Sequence, residues 1–184
     1  MRLTFRRETW PLREPFVISR MRQDDAPVGV VEIAAGGCTG RGECDLVEDG
    51  QDGPSAEEEL AAIGPEAAAR APDRLSNPRL ANAVASALVD LEARRTGIPA
   101  WRALGLEAPP GPVTTVFTIG LGTPEAMAAS ADANRDRPIL KLKLGREEGD
   151  VDRVRAVREA AAGAPLTVDA NTGWTRDQLA DHLP

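Results

Sequence analysis

The sequence predicts an α/β protein in two parts, and three observations carry that prediction. β-Branched runs and Gly-rich turns dominate residues 3–45, and amphipathic helices follow to about residue 105. After Pro109-Pro110-Gly111-Pro112, strands and helices alternate at even spacing. That alternation is the signature of a parallel sheet with crossover helices. Right-handed crossovers make it the start of a barrel or of an open doubly wound sheet. The Pro/Gly stretch divides the chain into 1–112 and 113–184.

Each element has a local reason. Val28 to Ile33 is a β-branched strand that runs into the turn at Gly36-Gly37, and Thr39 to Glu43 reads as its return strand. Ser19 to Pro27 and Asp45 to Pro54 are polar and charged, and read as loops. Ser55-Ala56-Glu57-Glu58 is a capping box that opens a helix. The strongest helix starts at Asn77, has Pro78 at its first turn and stops at Gly97. Its predicted buried face is Leu80, Ala83, Val84, Ala87, Leu88 and Leu91, where the alanines leave room for a neighbour to approach. A short helix around Trp101 to Leu104 ends at Gly105. In the second part, the predicted strands are Val113–Ile119, Ile139–Leu144 and Leu166–Ala170. Their helices open at Thr123-Pro124, Asp150 and Thr175, with Val151, Val154 and Val157 forming the apolar face of the second.

Composition excludes several classes. With 42% hydrophobic and 28% charged residues the chain reads as globular, and a net charge of −7 argues against a nucleic-acid binder. No apolar run approaches a membrane span, and the charged N-terminus is not a signal peptide, so a cytoplasmic protein is expected. Cys38 and Cys44 read as free thiols, and His182, the single histidine, as a residue on a solvated helix. No Gly-x-Gly-x-x-Gly follows the first strand, which counts against a dinucleotide fold.

Two strand ends carry chemistry. In Leu140-Lys141-Leu142-Lys143-Leu144 the side chains alternate, so the leucines share one face and the lysines the other. Both faces of a parallel strand between helices are normally covered. Two neighbouring ammonium groups there disfavour each other's charge, which makes a lysine a candidate general base. On the next strand Asp169 and Asn171 share a face, and a carboxylate at a strand's C-terminal end is a hard-metal ligand in the making. In sequential strand order Lys143 and Asp169 come from adjacent strands.

Lys-x-Lys at one strand end and Asp-x-Asn-x-x-Trp at the next resemble the muconate-lactonizing branch of the enolase superfamily, and most of all its L-Ala-D/L-Glu dipeptide epimerases. Trp10-Pro11-Leu12 with Pro15-Phe16, Gly40 to Cys44, Ala87 to Leu91 and Pro99 to Gly105 are similar to the N-terminal domain of that family. The resemblance implies an α+β capping domain over 1–112, followed by the first three βα units of a TIM-type (β/α) barrel over 113–184. It implies Mg2+-dependent removal of the proton α to a carboxylate, through an enediolate. Lys143 would be the base, Lys141 its neighbour and Asp169 a magnesium ligand, with Asn171 behind them. Thr118 would contact a substrate, and Arg20 and Arg22 are the nearest candidates for meeting a substrate carboxylate. The implied partner is a small carboxylate, a dipeptide first. Asp24, Asp25, Asp45, Glu48, Asp49 and Asp52 keep a cationic dipeptide open, and homo-oligomerisation is left open.

A muconate cycloisomerase or o-succinylbenzoate synthase would use the same base and metal, and a non-catalytic remnant is the reading from another class. The family takes further acidic ligands and an opposing lysine from later strands, and a complete barrel takes about 250 residues. One carboxylate does not hold magnesium in an octahedral shell. The chain is therefore expected to be C-terminally truncated, inactive by itself and sparingly soluble through an exposed third strand and apolar face.

Overall fold

A computed structural model describes residues 1–46, 54–145 and 148–182. Glu48, Asp49 and Asp52 lie outside the described residues. The chain forms two compact units. One comprises Met1–Pro11 and Asp25–Gly111, the other Leu12–Asp24 and Pro112–Pro184.

β1 (Arg2–Ile18), β2 (Met21–Ala35) and β3 (Cys38–Asp45) form one sheet in that order; the first unit takes β3 and the parts of β1 and β2 outside Leu12–Asp24. The loop expected at 19–27 is instead a two-residue turn with β2 starting at Met21. Polar side chains misled that reading, because a ladder pairs backbone groups and an exposed strand tolerates charge on its side chains. β2 pairs antiparallel with β3 from Val28↔Asp45 to Ala35↔Cys38.

Five helical segments follow: α1 (Ala56–Ile63), α2 (Pro65–Arg70), a 3-10 turn (Pro72–Arg74), the long α3 (Pro78–Thr96) and α4 (Ala100–Ala103). α1 carries the predicted capping box: the Ser55 hydroxyl accepts from the Glu58 amide, and the Glu58 carboxylate accepts from the Ser55 amide. α3 starts and stops where expected, with the Asn77 side chain accepting from the amides of Arg79 and Leu80, and Gly97 closing the C-terminus. Glu59 is a buried carboxylate that accepts from the Ser76 amide and hydroxyl and from the Asn77 amide. Burial alone would raise its pKa, but those three bonds outweigh burial and hold it below the ordinary value. It thus ties α1 to the start of α3.

Leu80, Ala83, Val84, Ala87 and Leu91 of α3 are buried against Val31, Ile33 and Cys44, while Leu88 is only partly buried. Gly40 and Gly42 lie on the inward face of β3, directly against the backbone of α3. A Cβ at Gly42 would collide with the Ala83 carbonyl and the Ala87 amide, and one at Gly40 with the Ala87 carbonyl. Small residues on both partners let helix and strand touch backbone to backbone.

The second unit contains β4 (Phe117–Ile119), α5 (Pro124–Ala133), β5 (Leu140–Lys143), α6 (Asp150–Ala160), β6 (Leu166–Asp169) and α7 (Arg176–His182). The strands form a parallel sheet in the order β4-β5-β6. β4 is shorter than the predicted Val113–Ile119. Its would-be partner segment includes Pro138, which has no N–H for the ladder, so pairing begins at Phe117↔Leu140. Leu140, Leu142 and Leu144 are buried with Ile119, Met127, Ala131 and Val157 under α5 and α6. On α6 the inward positions are Asp150, Arg153 and Val157, whereas Val151 is 50% exposed.

Gly42→Ala should leave the chain's helical signal in place but destabilise the first unit by about 1–3 kcal/mol, because a methyl group has no room against a backbone. Thermal unfolding followed by circular dichroism checks this, and an unchanged midpoint would show that β3 and α3 are not in backbone contact.

Candidate active site

The alternation along β5 buries three leucines on one face and so obliges Lys141 and Lys143 to share the other. Parallel register then sets Lys143 opposite Asp169 on β6, and Lys141 between Thr118 on β4 and Thr167 on β6. The Asp169 Oδ2 atom accepts from Lys143 Nζ at 2.7 Å and lies 2.9 Å from Lys141 Nζ. Its Oδ1 accepts from the Asn171 amide at 2.9 Å. The hydrogen bond from Lys143, then those from Lys141 and the Asn171 amide, hold the Asp169 carboxyl well below the usual carboxylate range, against the opposing effect of burial.

The two lysines are not equivalent. The Lys143 side chain is 8% exposed and its ammonium lies 5.5 Å from the centroid of the Phe16 ring, a cation–π distance. Lys141 is 32% exposed. These are the only lysines in the sequence; every other basic side chain apart from His182 is an arginine. That bias is a sequence signal of the site which strand alternation does not use. Arginine cannot give up its proton near neutral pH, and lysine can.

The remaining expected site residues take varied positions. Asn171 and Thr172 follow β6 with φ of +48° and +62°, and the Asn171 Oδ1 is buried with no hydrogen-bond partner. Arg20 Nη1 lies 3.5 Å from the Thr172 hydroxyl, while Arg22 donates to Asp24 through two nitrogens, at 2.7 and 3.2 Å. That pairing neutralises Asp24, one of the acids that left a cationic ligand open. The buried network of Asp150, Arg153 and Trp174, around the loops after the strands, was not foreseen, because helical periodicity pointed to Val151 as the inward residue.

A cleft of about 490 Å³ lined by residues 112–117 with Arg137 and Pro138 lies before the strands begin, at the end of the sheet away from the lysines. Among the described residues no group of three or more His, Cys, Asp and Glu side chains is placed to hold a metal ion. Among the described residues Asp169 is the single carboxylate at the lysine cluster, and both its oxygens are already hydrogen-bonded. Mg2+ takes six oxygen ligands, so the described residues by themselves do not fit that ion. The chemistry open to them is that of the lysines.

Residues 126–183 match the family model for the enolase C-terminal domain-like fold. The L-Ala-D/L-Glu epimerase of Escherichia coli K12 is 35% identical over 193 residues, an alignment covering 94% of this chain and 56% of that protein. In sequence and in fold the chain is similar to members of the enolase superfamily. Among solved structures, an enolase family member from Agrobacterium tumefaciens, with homology to dipeptide epimerases and with sodium and L-Ala-L-Glu bound, superposes with a TM-score of 0.83 at 36% identity. That match covers 99% of this chain and 57% of the other. A dipeptide epimerase from Enterococcus faecalis V583, complexed with Mg and L-Leu-L-Tyr, gives a TM-score of 0.80 at 26% identity over 98% and 58% of the two chains. The chain spans little more than half the length of the relatives it matches. No helix among its described residues is long and apolar enough to cross a membrane.

The depressed Asp169 pKa makes the second unit acid-sensitive in a defined direction. A carboxylate whose folded value lies below its unfolded one stabilises fully above the unfolded value, near 3.8, and loses that contribution as pH falls toward the folded value. Asp169→Asn should be less stable than the wild type at pH 7, and the gap should narrow steadily below pH 3.8. Urea unfolding at a series of pH values reads the gap; a constant difference down to acid pH would mean that the ion pairs contribute nothing.

Proposed function

We propose that the whole protein is a dipeptide epimerase in which Lys143 removes the proton from the carbon next to a carboxylate. The observation that carries this reading is the convergence of Lys143 and Lys141 on one oxygen of Asp169, from the ends of adjacent parallel strands. The C-terminal ends of parallel strands are where such folds place their reacting groups. The relatives of this chain, among them an L-Ala-D/L-Glu epimerase, support the choice of a dipeptide.

The electrostatics favour an anionic ligand. Two ammonium groups face one carboxylate, which leaves an excess positive charge for a substrate carboxylate to balance. Arg20 adds an exposed guanidinium beside Thr172, and Thr118 lies next to Lys141 on the same face. While both amines donate to Asp169, neither offers a lone pair. Proton abstraction requires Lys143 in its neutral form, with its nitrogen turned to the substrate carbon. Lys141 then stands as the cation of the pair against the negative charge that develops on the substrate carboxylate. Asn171 would act from behind, through its amide on Asp169. Mg2+, bound in the crystal of the Enterococcus relative, would take Asp169 as one ligand among several that the described residues do not supply. The domain division belongs to the same reading: 1–112 as the capping domain and 113–184 as barrel. A cytoplasmic setting agrees with the free thiols of Cys38 and Cys44.

With one carboxylate and no opposing base among its described residues, the 184-residue chain alone is proposed to be inactive. Incubation with L-Ala-L-Glu and Mg2+ in D2O, followed by NMR, should show no α-deuterium incorporation by this chain. Exchange above a Lys143→Ala control would overturn that part of the proposal. In the whole protein Lys143→Ala should cut exchange by about 10²–10⁴-fold, the range of a lost general base, with the circular dichroism spectrum unchanged. Undiminished exchange would remove Lys143 from the role of base.

A further inference from the structure

A buried ion pair stands outside the lysine cluster. Asp150 and Arg153, at the start of α6, have side chains 2% and 11% exposed and meet at 2.9 Å. Burying two charges costs free energy that their attraction barely returns, and apolar residues of similar size would often serve stability as well. These two positions, with Val157, are the inward face of α6, where apolar side chains are the default. Stability alone does not account for the pair.

Its hydrogen bonds do. Asp150 Oδ2 accepts from the Gly145 amide at 2.8 Å and from the Trp174 indole N–H at 2.7 Å. Arg153 donates to the Gly122 carbonyl at 2.8 Å and to the Glu148 carbonyl at 2.7 Å. One pair therefore fastens segments that follow β4, β5 and β6. Gly145 lies two residues beyond Lys143, and Trp174 five beyond Asp169. The two loops also touch directly. Gly145 has a φ of +104°, and any side chain on it would strike the Ala170 carbonyl and Gly173. The Leu144 amide donates to the Asp169 carbonyl at 3.0 Å.

We infer that the Asp150–Arg153 pair is a positioning clamp, which holds the β5 and β6 strand ends so that Lys143 stays against Asp169 and under Phe16. Neither residue is catalytic; both act through the loops they tie. The inference takes its functional meaning from the proposed role of Lys143, but its test does not depend on activity.

The chain's side-chain amines are Lys141 and Lys143 alone, so an amine-directed reagent reads the cluster directly. Brief acetylation of the full chain with acetic anhydride, followed by peptide mass spectrometry, yields the reactivity of Lys143 relative to Lys141. In the wild type Lys143 should be the protected one. Asp150→Asn keeps the shape but removes the charge, and should raise the ratio about fivefold, the effect of losing one charge-assisted interaction. Trp174→Phe removes only the indole donor and should raise it in the same direction. Ala131→Gly, in the core on α5 away from these loops, should lower the melting temperature and leave the ratio unchanged. An unchanged ratio in Trp174→Phe, or in folded Asp150→Asn, overturns the clamp; so does an equal rise in Ala131→Gly, which would indicate general loosening. If Asp150→Asn does not fold, Trp174→Phe decides. A rise in the ratio together with undiminished exchange by Lys143→Ala whole protein would keep the clamp and remove Lys143 from the role of base.

Discussion

The register of β5 against β6 is the constraint on which the second unit depends. Packing Leu140, Leu142 and Leu144 under α5 and α6 forces the intervening lysines to the opposite face, and pairing Lys143 with Asp169 gives them a counter-charge there. A slip of one residue would turn Asp169 to the leucine side and leave two ammonium groups without a carboxylate. Apolar burial and charge pairing thus select the same register, so the two levels of the structure agree. The agreement is incomplete in one respect that bears on function. Among the described residues one carboxylate serves two cations, which leaves an excess of positive charge there.

The supporting parts divide by physical type. In the first unit, close backbone contact between small residues on β3 and α3 does the work, with the buried Glu59 carboxylate closing the start of α3. In the second, directional hydrogen bonds from a buried ion pair hold the loops. Dispersion and apolar burial tolerate small adjustments of side chains, whereas charged hydrogen bonds set distances and angles. A site whose reacting atoms must be held to a fraction of an ångström is better served by the second kind of support.

Much of this was legible in the chain. The Ser55 capping box, the Asn77–Gly97 limits of α3 and the shared face of Lys141 and Lys143 follow from rules that act over three or four residues. The motifs around Lys143 and Asp169 were legible by resemblance. Three features were not. The charged stretch 19–27 was read as loop because its side chains are polar, yet most of it is strand. β4 was read too long, because pairing depends on the neighbour that Pro138 interrupts. Val151 was read as an inward residue, but Asp150 and Arg153 take the inward positions of α6 because loops distant in sequence offer them hydrogen-bond partners.

The sequence by itself therefore determined local structure, the alternation that sets two lysines apart from three leucines, and the family that the chain resembles. Each of these is encoded in spacing and residue type. Only the tertiary structure decided which charges meet: that Lys141 and Lys143 share one oxygen of Asp169, that Arg22 turns to Asp24, and that Asp150 joins Gly145 to Trp174. The reason is that an ion pair is fixed by three-dimensional proximity and desolvation, and neither quantity is written in the spacing along one strand or one helix.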